Sequence, residues 1–197
     1  SVSLSYASGG VTTCSELPTS SGNVLQTLSI THESGTITLG ANATVNGTLS
    51  LGAGSALADG GFTLTAKGNV SNSGSHSGAG KIALAGSGSQ FLSGSGTYHN
   101  LELNNLNGAS LANTPTINGT LALTSGELVT GTNQIDFAAS AAVTRTGGWV
   151  NGTMRKAFNT GTGQNFFFPI GGAASYRPVA LSNINVTAVG SLSASVT

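Results

Sequence analysis

Charge is nearly missing from this chain. Of 197 residues, six are Lys or Arg and six are Asp or Glu, a charged share of 6% with zero net charge. Soluble domains ordinarily carry about a quarter. Nothing here builds a dense cationic face, so neither nucleic acid nor an anionic membrane is expected as a partner. Solubility must come from Ser, Thr, Asn and exposed backbone instead. Cysteine is confined to Cys14, which rules out an internal disulfide and a cysteine-based metal site. A secreted repeat protein that needs no staples fits this better than a protein of a reducing compartment, with Cys14 as a free thiol. No apolar run is long enough to span a bilayer, and no membrane insertion is expected. The first residues lack the basic-then-apolar order of a signal peptide. The chain begins and ends inside β alternation, Ser1-Val2-Ser3-Leu4-Ser5 and Ser191-Leu192-Ser193-Ala194-Ser195-Val196, which reads as an excerpt of something longer.

What the chain does have is period-2 alternation. Thr27-Leu28-Ser29-Ile30-Thr31, Thr36-Ile37-Thr38-Leu39, Thr48-Leu49-Ser50-Leu51 and Phe62-Thr63-Leu64-Thr65 each alternate polar and apolar residues. Further along come Lys81-Ile82-Ala83-Leu84, Leu101-Glu102-Leu103, Leu121-Ala122-Leu123 and Ile135-Asp136-Phe137. Successive side chains of an extended backbone point to opposite faces, so each run has one apolar face and one small polar face. Helical spacing is sustained nowhere. Turn-forming clusters such as Gly40-Ala41-Asn42, Gly52-Ala53-Gly54 and Asp59-Gly60-Gly61 separate the runs.

The chain also repeats itself. Leu28–Val70 returns as Leu101–Val143, and Val45-Asn46-Gly47-Thr48-Leu49 returns as Ile117-Asn118-Gly119-Thr120-Leu121, 72 positions later. Two folds suit short strands with frequent turns, a β-solenoid and a β-sandwich. Asn46-Gly47 and Asn118-Gly119 are hairpin signals and favour the sandwich. Pro115 lies where a paired hairpin strand would run and disfavours it. The repeat tips the balance to an all-β parallel β-helix with short coils, the period holding roughly four coils of about 18 residues. The two copies are expected to be equivalent tiers of one coil. The expected inward residues are Leu28, Ile30, Ile37, Leu39, Val45, Leu49, Leu51, Phe62 and Leu64, then Leu101, Leu103, Ile117, Leu121, Leu123, Ile135 and Phe137. Residues 24–146 form the expected solenoid. Residues 1–23 are an expected N-terminal cap or the end of a preceding repeat. After a boundary near Gly147-Gly148, residues 147–197 are an expected Phe-rich β cap or the start of a β-sandwich, since an open solenoid end must be covered.

Chemistry is thinly represented. His32, His76 and His99 lack metal-ligand spacing. No serine stands in a nucleophile elbow, and Glu33, Glu102, Glu127 and Asp136 are too scattered to suggest a glycosidase pair. Calcium-binding nonapeptides are lacking. No catalytic residue, metal or cofactor is therefore expected. The Asn-x-Ser/Thr sequons at Asn42, Asn46, Asn69, Asn118, Asn151 and Asn185 read first as corners followed by strands. Trp149, Tyr98 and Tyr176 are the candidate ligand-binding residues, because an exposed aromatic face can stack on a sugar. Arg155, Lys156 and Arg177 are expected to lie over apolar surface with their heads in water. A flat Thr array, suggested by Thr36 to Thr38 and Thr63 to Thr65, would serve ice binding, but Ser, Ala, Glu102 and Asp136 interrupt it.

Several motifs together resemble a known group. These are the run Gly96 to Asn105, the recurring Val/Ile-Asn-Gly-Thr motif, Trp149-Val150-Asn151-Gly152-Thr153, and Phe168-Pro169-Ile170-Gly171 followed by Tyr176-Arg177-Pro178-Val179. They resemble the repetitive regions of large secreted surface proteins of Bacteroidetes, similar to gliding-motility adhesins and exported by the type IX system. The likeness spans about Gly22 to Leu181. It implies a surface-displayed stalk or adhesive filament, extracellular and not an enzyme, whose partners are surface glycans or neighbouring copies of the same chain. A carbohydrate-binding or carbohydrate-cleaving β-helix is the alternative.

Overall fold

The computed structural model describes residues 2–7, 24–31, 35–173 and 175–196. All regular structure among them is β, and parallel strands stack into a solenoid of about eight turns. Each coil has three faces. The first carries Ala43–Val45, Thr63–Ala66, Lys81–Leu84, Leu101–Asn104, Thr120–Ser125 and Ala142–Arg145, each paired in parallel with the next. The second carries Leu49–Leu51, Val70–Asn72, Gln90–Ser93 and Ala109–Leu111. The third carries Thr36–Thr38, Ala56–Ala58, Ser75–Ser77, Thr97–Tyr98 and Thr116–Ile117. Higher up, Glu127–Phe137 and Trp149–Phe158 each run across the second and third faces in one long bent strand. At the bottom, Val24–Ile30 likewise spans the first and second faces, and Val2–Tyr6 pairs beneath it. The rest of the expected N-terminal cap, Cys14 included, lies outside the described residues, as do His32 and Glu33.

Alternation decides what points inward. On the first face Leu64, Ile82, Leu101 and Leu121 form one vertical row, all 0–1% exposed. On the second, Leu28, Leu49, Val70 and Leu92 do the same. A buried aliphatic side chain contributes about 1.5–3 kcal/mol relative to exposure. The rows therefore supply a continuous core without a disulfide. Every expected inward residue is buried except Phe62, which sits half-buried beside Gly60 at a corner.

Two expectations about the repeat need correction. Ile37 faces Leu57, Leu64 faces Ile82, Leu49 faces Val70 and Val70 faces Leu92, so successive coils differ slightly in length. One coil takes about 20 residues, the length of a short solenoid repeat, and the sequence period is not a whole number of such coils. Leu49 and Leu121 are both fully buried, but Leu49 lies on the second face and Leu121 on the first. The two copies are thus offset by one face and are not equivalent tiers. The shared motif marks a corner instead. Val45-Asn46-Gly47-Thr48-Leu49 turns from first face to second, Ile117-Asn118-Gly119-Thr120-Leu121 from third to first, and Val150-Asn151-Gly152-Thr153-Met154 from second to third. Its glycine is there for close approach. A Cβ on Gly47 would lie 2.5 Å from the Gln26 carbonyl oxygen, and one on Gly119 would lie 2.5 Å from that of His99. Both amides donate to those same oxygens, at 2.7 and 2.8 Å.

The boundary expected at Gly147 does not interrupt the ladder. Glu127 pairs with Trp149, and Val150 pairs in parallel with Ile170 above it. Antiparallel strands then close the top. Gly190–Ser195 runs along Thr153–Phe158, Ser175–Tyr176 folds onto Ile170–Gly172, and Gly161–Phe168 pairs with Val179–Val186 as a second sheet. Phe166 meets Phe137 edge-on at 5.5 Å and Phe168 at 4.7 Å, which plugs the core from above.

Replacing Gly119 by Ala forces a methyl into the His99 carbonyl and should cost about 1–3 kcal/mol. A Cβ on Gly88 meets nothing within 4 Å, so Gly88→Ala should stay within about 0.5 kcal/mol of wild type. Urea unfolding of the two variants checks the contrast.

Candidate functional site

The three aromatic candidates separate. Tyr98 is 0% exposed, in the inward row of the third face, so it offers no surface to a ligand. Its hydroxyl is pushed far above the ordinary phenol range by burial, against a weaker opposing contact with Asn72. Trp149 and Tyr176 do come together, near the top of the second face, with ring centres 6.4 Å apart at 49°. The Arg145 guanidinium lies 3.7 Å over the Tyr176 ring and donates to the Gly148 and Gly147 carbonyls at 2.7 and 3.1 Å. The indole N–H of Trp149 donates to the Gly172 carbonyl at 3.2 Å. Gly171 lies close under the ring, where a Cβ would stand 2.8 Å from Trp149 Cδ1. The ring orientation of Trp149 is therefore set by the closing strands.

Below Trp149 the corner between first and second faces changes length from coil to coil. It takes residues 105–108 in one coil, Gly126 alone in the next, and 146–148 in the one above. Gly126 makes the sharp bend with φ +82°, and a Cβ there would fall 1.8 Å from the Asn105 carbonyl oxygen. One short corner between two longer ones leaves a notch. The notch holds about 430 Å³, with Leu106 and Asn107 below, Gly126 and Glu127 at its back, Val129 beside them and Trp149 above. Leu106 is 86% exposed on its turn. That turn is rigid: Asn107 donates to the Ser87 carbonyl at 2.9 Å, and Asn105 donates to Gly88 and to Gln90 Oε1. Glu127 Oε2 accepts from the Asn151 amide at 3.1 Å. Sequence reading finds Trp149 but passes over Leu106. The available signal is a large aliphatic residue inside the turn-forming string Asn104-Asn105-Leu106-Asn107-Gly108, where packing does not call for one.

Several other titratable groups among the described residues are tied into the scaffold. His76 occupies the inward row between Leu57 and Tyr98 and is 3% exposed. Its Nε2 stands 3.0 Å from Asp59 Oδ2, not aligned as a hydrogen bond, while Asp59 Oδ1 accepts from the amides of Gly61 and Gly80 at 2.8 and 2.7 Å. Burial lowers the His76 pKa, outweighing the attraction of Asp59. Lys156 also corrects an expectation. It is 3% exposed, its ammonium turned inward to the Ala138 and Ala139 carbonyls at 2.6 and 2.7 Å, and burial lowers its pKa. Arg155 lies outside in a two-pronged pair with Asp136, and Arg177 donates to the Ser175 hydroxyl.

Among the described residues Glu102, Glu127 and Asp136 do not converge. Glu102 lies on the first face, bound by Lys81 at 2.6 Å and Thr124 at 2.7 Å, Glu127 on the second and Asp136 on the third. Among the described residues no three of His, Cys, Asp and Glu gather as a metal site. Several sequon asparagines work as corner clamps: Asn42 accepts from the Thr63 amide at 2.8 Å and Asn69 from the Phe91 amide at 2.9 Å. The fold defines the protein as a β-solenoid. No protein-family model matches the chain, and no curated protein or solved structure does.

His76 gives a pH prediction. Its folded pKa lies below the ordinary histidine value of 6.5, so between the two the unfolded chain binds more protons and stability rises with pH. Acidification through that window should lower the urea midpoint of the wild type. His76→Gln should flatten this part of the profile, measured from pH 7.5 to 5.

Proposed function

We propose that the chain is a structural and adhesive module of an extracellular cell-surface protein or filament, and that it is not catalytic. The observation that carries this is the unbroken three-faced stack, about eight turns high, with polar side chains committed to holding coil to coil. At the usual strand spacing of about 4.8 Å the stack is roughly 35–40 Å long, a stiff segment of a stalk. Folding by stacked nearest neighbours suits extension by further coils. The resemblance of Phe168-Pro169-Ile170-Gly171 and Tyr176-Arg177-Pro178-Val179 to surface adhesins of Bacteroidetes agrees with display outside the cell.

A cleaving β-helix needs two carboxylates about 5–9.5 Å apart across a bond. Placement of Glu102, Glu127 and Asp136 on three different faces speaks against it. Ice binding needs an unbroken Thr row, whereas the outward row of the third face runs Thr36, Ala56, Ser75, Thr97, Thr116, Asp136 and Arg155.

Beads coated with the purified protein should attach to glycan-coated surfaces or to one another, and the protein should release no reducing ends from a polysaccharide panel. Beads that attach to neither would overturn the adhesive reading, and released sugar would overturn the non-catalytic one.

A further inference from the structure

The notch at the corner of the second face is a place where the solenoid surface departs from small polar residues. Its two walls are an indole and an isolated exposed leucine, Trp149 and Leu106. They belong to coils two steps apart, about 10 Å at the usual strand spacing, because the intervening corner is reduced to Gly126. At about 430 Å³ the space falls in the usual 300–1,000 Å³ range of small-molecule sites. We infer that this notch binds a neutral glycan chain, one sugar ring lying against Trp149 with Leu106 on its other side.

Three features select that class. First, the indole is held by its N–H bond to Gly172 and by Gly171 and Tyr176, so it is pre-oriented and little freedom is lost on binding. The C–H edge of a pyranose suits such a fixed aromatic face, with hydroxyls left free at its rim. Second, Glu127 is the charged group lining the notch, which repels sulfated or carboxylated polymers and offers acceptors to sugar hydroxyls. Third, the backbone behind the notch is already paired. Ala109 and Ser110 ladder with Leu128 and Val129, and these with Val150 and Asn151. An extended peptide therefore has no open edge to join there, and recognition falls to side chains.

The inference rests on the adhesive reading and gives it a contact point. Trp149 is the chain's single tryptophan, so its emission reports occupancy directly. The test titrates wild-type protein with neutral hexasaccharides of glucose, xylose, mannose and N-acetylglucosamine, with heparin and a Lys-rich hexapeptide as controls. Saturable change in Trp149 emission with at least one neutral sugar, and none with heparin or the peptide, is the expected result. Leu106→Ser changes an exposed turn residue and should weaken that binding at least tenfold with an unaltered melting curve. Glu127→Gln should weaken it about tenfold. Silence toward every neutral sugar, preference for the basic peptide, or binding indifferent to Leu106→Ser would each overturn the assignment. Wild-type beads that still adhere in any of those cases would leave the adhesive reading standing without this site.

Discussion

Inward side chains in this protein rest on the inward side chains of the coil beneath, while backbone donors on each face find acceptors in a neighbouring coil. Rows such as Leu64, Ile82, Leu101 and Leu121 are the lateral expression of one parallel ladder. The ladder fixes the vertical spacing, and the spacing lets aliphatic side chains fill the interior. Hydrophobic burial and hydrogen bonding are therefore satisfied by the same geometry. A chain with so little charge and one cysteine holds together because each coil adds a full layer of both.

Polar groups inside that arrangement are mostly tied to the coils around them. Asp59 and His76 occupy two successive levels of the stack, and Asp59 ties its own coil to the next through Gly61 and Gly80. Lys156, paired above Phe137, turns its ammonium down to the Ala138 and Ala139 carbonyls at the corner of the coil below. Its neighbours Phe158 and Phe166 lie within 5.6 Å and 5.2 Å, so the amine is held against ring faces as well. The antiparallel strands over it end the parallel growth, as an exposed parallel edge would otherwise template further pairing. Variation is left to the corners, where length is not constrained by the ladder. The notch below Trp149 arises there, from a count of turn residues and not from any special strand.

Much of the fold is legible along the chain. Alternation identifies the strands and the inward residues, and Pro115 argues correctly against a hairpin. Phe62 escapes this logic because it alternates like a strand residue but sits at the bend after Asp59-Gly60-Gly61, where period 2 no longer assigns a side. Tyr98 and Lys156 escape it for a related reason. Their polar tips suggest exposure, but position in a strand sets direction before polarity does. The notch is legible only in fragments, as Trp149 in one motif and Leu106 in another.

The sequence by itself determined the β character, the turn-rich texture and which side of each strand is apolar, since these follow from local backbone geometry and side-chain type. Only the tertiary structure decided the length of a coil, the face on which each motif falls and the meeting of Leu106 with Trp149 across Gly126. Those depend on which residue stacks on which, and the long sequence repeat reads as tiers until three-faced coils turn it by one face. Stacking register is a property of neighbouring coils together, and no stretch of one coil contains it.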